Sequence, residues 1–219
     1  MGIAVATWVF ALCAVAPSHA AYMYTVSPTI LSTSPGPPTV NSVADVTVGS
    51  PGTRVQLLGR TAMDLNFVND ALLADLLVNK STLTPSTDNF SVNYRLDVTV
   101  TNPQPPSPSS ASATFQIFGT LDILASIGGP GQSFTIENVY TGVSPVGPQT
   151  LDGLLFEVSV PLGLPSNRYF SKPTLNQAAG GLSARITAVP EPTSLVLLGL
   201  GGLGFIGLRT WRRNRAAVA

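Results

Sequence analysis

The chain has 219 residues, 44% hydrophobic and only 10% charged, with 20 glycines and 19 prolines. Soluble domains usually carry about a quarter of their residues as charges, so this composition excludes a salt-bridged helical surface and a polyelectrolyte tail. Eleven basic residues balance eleven acidic ones, yet Arg209, Arg212, Arg213 and Arg215 crowd the last eleven positions, leaving residues 21–208 with a net charge of −4. A body without a basic field cannot displace counterions from a phosphate backbone, which excludes nucleic acid as a partner.

The first element is a nearly unbroken apolar run over residues 3–15, followed by Pro17 and by Ser18 and Ala20 at three and one positions before Ala21. That pattern predicts a secretory signal peptide over residues 1–20, cut by signal peptidase between Ala20 and Ala21 after passage through the secretion machinery. The stretch before the apolar run contains no Lys or Arg, unlike most such signals. Both Cys13 and His19 lie inside this segment. Its removal excludes a disulfide framework, a thiolate nucleophile, a Ser-His-Asp triad and a Cys/His zinc site, so neither a metal nor a cofactor is expected.

Residues 21–188 show turn residues at short intervals, and the reading is an antiparallel β-sandwich. Alternation is clearest over residues 90–100, where Phe90, Val92, Tyr94, Leu96, Val98 and Val100 share one face. Residues 113–120 repeat the theme after a proline-rich connection that cannot join a ladder, so the two segments are predicted to be antiparallel neighbours. Further strands are predicted at 23–26, 39–48, 54–59, 133–140, 151–160, 169–170 and 182–189. Residues 64–79 are ambiguous: Leu65, Val68, Leu72, Leu73, Leu76 and Leu77 fit a helical face, while 71–79 also fit a bent strand, which is preferred.

No constellation in the body carries a recognisable chemistry. The whole chain offers eight Asp and three Glu, without a recognisable facing pair of the kind a glycosidase needs. Asp152-Gly153 reads as a turn, and Asn66 to Asp70 lacks calcium-loop spacing. The sequons at Asn79 and Asn89 read as chance. Sugar rings stack on Trp or Tyr; both tryptophans, Trp8 and Trp211, lie in the targeting ends, leaving Tyr22, Tyr24, Tyr94, Tyr140 and Tyr169 as candidates. Tyr94 is in phase with the apolar face and is assigned to the core.

The chain then reads Val189-Pro190-Glu191-Pro192-Thr193-Ser194, an apolar stretch over 195–208 with five glycines, and the arginine cluster. Fourteen residues of helix span about 21 Å, and extension to 193–211 gives about 28 Å, enough for a transmembrane helix across a core of about 30 Å. Arg209, Arg212, Arg213 and Arg215 place the C-terminus on the cytoplasmic side of the inner membrane. Pro190 and Pro192 remove two donors and bias their predecessors to extended backbone, so the box is expected to enter neither the preceding sheet nor the following helix. Thr193 and Ser194 can cap that helix.

This order, a Pro-Glu-Pro box, a short Gly-rich span and a terminal arginine cluster over 189–215, resembles the PEP-CTERM sorting domain of bacterial exosortase substrates. The resemblance implies transient anchoring, cutting near the box by a membrane-embedded exosortase, and delivery to the cell surface or extracellular space, often in organisms that make exopolysaccharide. The body is also generically similar to the β-rich ectodomains that precede such tails. The expectation is a non-enzymatic matrix or exopolysaccharide-associated structural protein; the competing readings are a carbohydrate-binding module for exopolysaccharide and, third, a carboxylate-based glycoside hydrolase.

Overall fold

The computed structural model describes residues 22–49, 52–63, 70–80, 86–103, 111–127, 133–161 and 177–190. Twelve strands and no helix occur among them: β1 (Met23–Ser34), β2 (Thr39–Ser42), β3 (Asp45–Val48), β4 (Thr53–Gly59), β5 (Thr61–Met63), β6 (Asp70–Lys80), β7 (Ser86–Thr101), β8 (Ser112–Ile127), β9 (Ser133–Ser144), β10 (Gln149–Leu151), β11 (Leu154–Ser159) and β12 (Gln177–Pro190). They form a five-stranded sheet, β5-β1-β7-β8-β9, and a seven-stranded sheet, β10-β11-β12-β6-β4-β3-β2. Every described pairing is antiparallel.

The alternation over 90–100 marks the centre of β7, a strand of 16 residues paired along its full length with β8. Phe90, Val92, Tyr94, Leu96, Val98 and Val100 are buried, and so are Phe115, Ile117, Leu121 and Ile123 of β8. The seven-stranded sheet answers with Val55, Leu57, Leu73, Leu76, Val78, Phe156, Leu182 and Ile186, giving one core between the two layers.

Between the described strands the chain passes from layer to layer five times, at β1–β2, β4–β5, β5–β6, β6–β7 and β9–β10. Hydrogen bonds tie the crossings at β4–β5 and β9–β10. After β4 the chain leaves the larger sheet through Arg60, whose N–H donates to Leu73 O (3.0 Å) and whose carbonyl accepts from Val26 N (2.9 Å), so one residue serves both sheets. The approach is so close that a Cβ on Gly59 would stand 1.9 Å from Val26 O. On the other side β9 crosses to β10. There β9 stops at Ser144, opposite Gln116, and the Gln149 side chain takes over: its Oε1 accepts from Thr114 N (3.1 Å) and its Nε2 donates to Thr114 O.

Several expectations change in detail. The segment 39–48 is two strands parted by a turn at Val43-Ala44, and 151–160 is two strands parted by Asp152-Gly153. Asp152 and Gly153 both have positive φ (53° and 75°), as a two-residue turn of this hand requires. Residues 71–79 are a strand, as preferred, within β6. The helical look of its leucines has a physical source. The β6–β12 register shifts between Ala74 and Leu72, so Leu73 is an extra residue, and Leu73 and Ala74 are buried side by side instead of alternating. Strand 169–170 lies outside the described residues, as do residues 64–69.

Candidate functional site

Chain direction fixes where the domain meets the segments that precede and follow it in the sequence. Met23 pairs with Thr101, and Leu154 pairs with Pro190. Asn102, next to Thr101, donates to Asp152 Oδ2 (2.8 Å) in the turn before Leu154. The Tyr22 ring meets Phe156 edge to face at 4.9 Å, and Phe156 pairs with Ala188. Residues 22 and 190 therefore leave the sandwich at the same end, here the exit end.

At that end the final strand runs further than expected. Val189, already expected in the strand, pairs with Leu155, and Pro190 pairs with Leu154, so the first residue of the Pro-Glu-Pro box belongs to the sheet, correcting the expectation that the box stays out of it. A proline closes a strand without breaking it, since the missing N–H matters only where a ladder bond is required. Val189 is 55% exposed, in keeping with the last turn of a ladder at a surface. Glu191, Pro192, Thr193 and Ser194 lie outside the described residues, as do the predicted transmembrane helix 193–211, Arg209, Arg212, Arg213 and Arg215. The same holds for residues 1–21, with the predicted cleavage between Ala20 and Ala21. Among the described residues no helix is long and apolar enough to cross a membrane.

The described tyrosines do not form a sugar platform. Tyr22, Tyr24, Tyr94 and Tyr140 are all buried, and Tyr169 lies outside the described residues. Three of them use their hydroxyls inside the domain. Tyr24 donates across the core to Leu72 O (2.8 Å), and Tyr140 to Ser183 O (2.6 Å), both at the β6–β12 register shift. A bulge frees carbonyls from the ladder, and these hydroxyls from the opposite sheet satisfy them. Tyr94 donates to Asn138 Oδ1 (2.6 Å) over Gly119, where a Cβ would stand 2.4 Å from the tyrosine oxygen. Burial first, then neighbouring Tyr140, push the Tyr94 hydroxyl well above its ordinary 10.0, against the lowering effect of the Asn138 bond.

Six of the described aspartates are similarly engaged. Asp45, Asp75, Asp88 and Asp97 are ion-paired with Arg54, Arg60, Lys80 and Arg95. Asp122 and Asp152 accept from Ser91 and Asn102. Among the described residues no group of three or more His, Cys, Asp or Glu is placed to hold a metal ion. A depression of about 320 Å³ between the end of β9 and β11 is lined by Val143, Pro145, Val146, Val158 and Ser159, with Glu157 as its one carboxylate. A second, of about 280 Å³, is lined chiefly by Ile30, Leu31, Pro38, Val40, Val43 and Val46, without convergent charged groups.

The outer face of the smaller sheet is the feature that sequence reasoning passed over. Asn93 Nδ2 donates to Ser32 Oγ (2.8 Å), and Thr120 Oγ1 donates to Asn93 Oδ1 (2.7 Å), a relay across three strands. Two residues along, Gln116 Nε2 and Arg95 Nε both donate to Asp97 (2.9 and 3.0 Å). Half-buried Phe118 stands opposite Arg95 in this field of hydroxyls and amides. The signal was present in the alternation itself, as the residues out of phase with the apolar face.

A two-layer β domain whose last strand runs into a Pro-Glu-Pro box is the architecture of a folded cargo carrying its own address. Comparison with family models bears this out: residues 188–213 match the PEP-CTERM protein-sorting motif. The motif implies processing by exosortase, secretion with transient membrane anchoring, and surface localisation. Neither the curated proteins nor the solved structures contain a match to this chain.

Proposed function

We propose that the chain is a non-enzymatic structural cargo: an exported β-sandwich that exosortase cuts from its C-terminal signal and that then serves in the extracellular matrix in association with exopolysaccharide. The observation that carries this reading is the continuity of the final strand with the sorting motif, which leaves a folded domain as the payload. The engagement of six described aspartates and three tyrosine hydroxyls within the framework supports a scaffold in place of a catalyst. The test replaces Pro190, Glu191 and Pro192 with alanine in a host that has an exosortase, following the size of the protein in cell and medium fractions. The variant should accumulate uncut in the membrane; release as efficient as the parent's would sink the sorting reading.

A second reading, the carbohydrate-binding module, is favoured by one observation. The Ser32-Asn93-Thr120 relay and the Arg95-Asp97-Gln116 cluster, with Phe118 opposite Arg95, form a fixed array of donors and acceptors beside an aromatic residue, the surface chemistry that hydrated sugars meet. Phe118→Ala together with Asn93→Ala should then abolish retention on exopolysaccharide from the producing cell. Unchanged retention would remove this face from consideration.

A further inference from the structure

Proteases and transpeptidases engage substrates as extended strands, through main-chain hydrogen bonds on either side of the scissile bond. A peptide already paired in a sheet offers those groups only if the sheet opens. In this domain the pairing of β11 with β12 continues through Glu157↔Thr187, Phe156↔Ala188, Leu155↔Val189 and Leu154↔Pro190. It ends inside the sorting motif, which begins at residue 188. The β11 segment is itself pinned from its far side by β10, with Gln149↔Phe156, Thr150↔Leu155 and Leu151↔Leu154. Leu151 and Phe156 are buried, and the Asp152-Gly153 turn is tied to Asn102. The strand facing the motif is thus held by a hairpin, a core contact and a polar tie. Nothing separates the folded domain from the box, because Pro190 is both the last paired residue and the first proline of the box.

We propose that β11 is a positioning element for processing: it covers the backbone of residues 188–190, so that cutting is confined to peptide bonds beyond Pro190 and the mature domain keeps the whole of β12. Leu154 and Leu155 are the positioning residues, acting through Pro190 and Val189. In hydrolysis at such a bond the C–N bond breaks, the oxygen of water goes to the carbonyl carbon to give a new C-terminal carboxylate on the domain, and the departing nitrogen takes a proton as the new amine of the membrane fragment. This inference rests on the sorting reading, and the experiment separates the two.

The full chain and a variant with Gly-Ser-Gly-Ser inserted between Ala188 and Val189 are expressed in a host that has an exosortase. The C-termini of the released forms are read by intact-mass measurement. The insertion lets linker residues take the places opposite Leu155 and Leu154 and moves the box off the sheet, while leaving residues 22–188 unaltered. The parent should give an end at or beyond Pro190, and the variant should gain ends at Val189 or within the linker. A parent end at or before Val189 overturns the inference and leaves the sorting reading intact. An unchanged single end relative to the box in both proteins also overturns it, because recognition of the box alone would then set the cut. A parent that is never cut sinks the sorting reading, and the inference with it.

Discussion

The two ends of the sandwich are held by different chemistry. At the end far from the chain exits, Lys80 is fully enclosed and its ammonium meets Asp88 Oδ2 at 2.8 Å. It also donates to Ala125 O (3.3 Å), while Thr53 Oγ1 donates to Asp88 (2.5 Å), so strands of both sheets converge on one ion pair. Among the contacts described at the exit end are an edge-to-face ring contact, a short hairpin and an exposed amide–carboxylate bond. A buried charge tolerates no partial solution, since removing either partner strands the other. Neutral contacts yield gradually. The difference teaches that the rigid, all-or-none end lies away from the sorting motif, and the adjustable end lies where that motif begins.

The largest expected effect therefore comes from the far end. Lys80→Ala should cost about 3–5 kcal/mol in denaturant unfolding, because Asp88 loses its cation in a largely desolvated site. Replacing both partners with apolar residues, Lys80→Met with Asp88→Leu, should recover most of that loss. A single variant as stable as the parent would remove the asymmetry between the ends.

Between the ends, Gly119→Ala tests how tightly the core is set around Tyr94. The added carbon has to displace the phenol from Asn138, and overpacking of this kind costs about 1–3 kcal/mol. Thermal unfolding of the variant checks it, and a cost near zero would show that the ring has room to move.

The contrast between what was legible and what was not has one physical cause. Uninterrupted alternation was readable, so the centres of β7 and β8 and their antiparallel pairing follow from residues 90–100 and 113–120 alone. Strand ends were not. Residues 23–26 extend through Ser34 because Pro28 is accommodated in the β1–β7 ladder and a bulge at Leu31 resets the register. Bulges shift the phase by one residue, which is why β6 resembled a helix at Leu72 and Leu73. At the candidate site, the box was legible as a motif, because its signal is local. That Val189 and Pro190 pair with Leu155 and Leu154 was not, since the partner strand lies more than thirty positions earlier. Tyr94 was legible as core from its phase, but Tyr24 and Tyr140 stood as surface candidates for a related reason: their partners, Leu72 and Ser183, are distant carbonyl groups that no spacing announces.

An acid titration sharpens the comparison with a pair that is only half enclosed. The hydrogen bond from Arg54 holds the Asp45 carboxyl below its ordinary 3.8; burial opposes this, and Asn41 and the Arg54 charge add to it. Between the lowered folded value and 3.8 the unfolded chain binds more protons, so stability rises with pH there. The contribution of Asp45 is thus complete above about 3.8 and is lost as pH falls through the lower folded value. The stability gap between the parent and Asp45→Asn should stay constant at neutral pH and close on acidification. A gap that persists unchanged at the acid limit would show that the pair acts through shape and not through charge.

The smallest effect belongs to the exit end. Asn102→Ala removes the exposed bond to Asp152 Oδ2 but leaves Asp152 open to water, so its oxygen finds a replacement partner. A surface loss of this kind changes stability by no more than about 0.5 kcal/mol. The β10–β11 ladder keeps its three register pairs, so the strand facing Val189 and Pro190 stays in place. Denaturant unfolding should therefore barely move, and the C-terminus of the released protein should be the same as the parent's. If Asn102→Ala instead shifts the cut upstream while global stability is unchanged, the tie at Asp152 is what keeps β11 closed over the motif. The exit end would then be a second all-or-none contact, and the contrast between the two ends would fail on the side where it matters for processing.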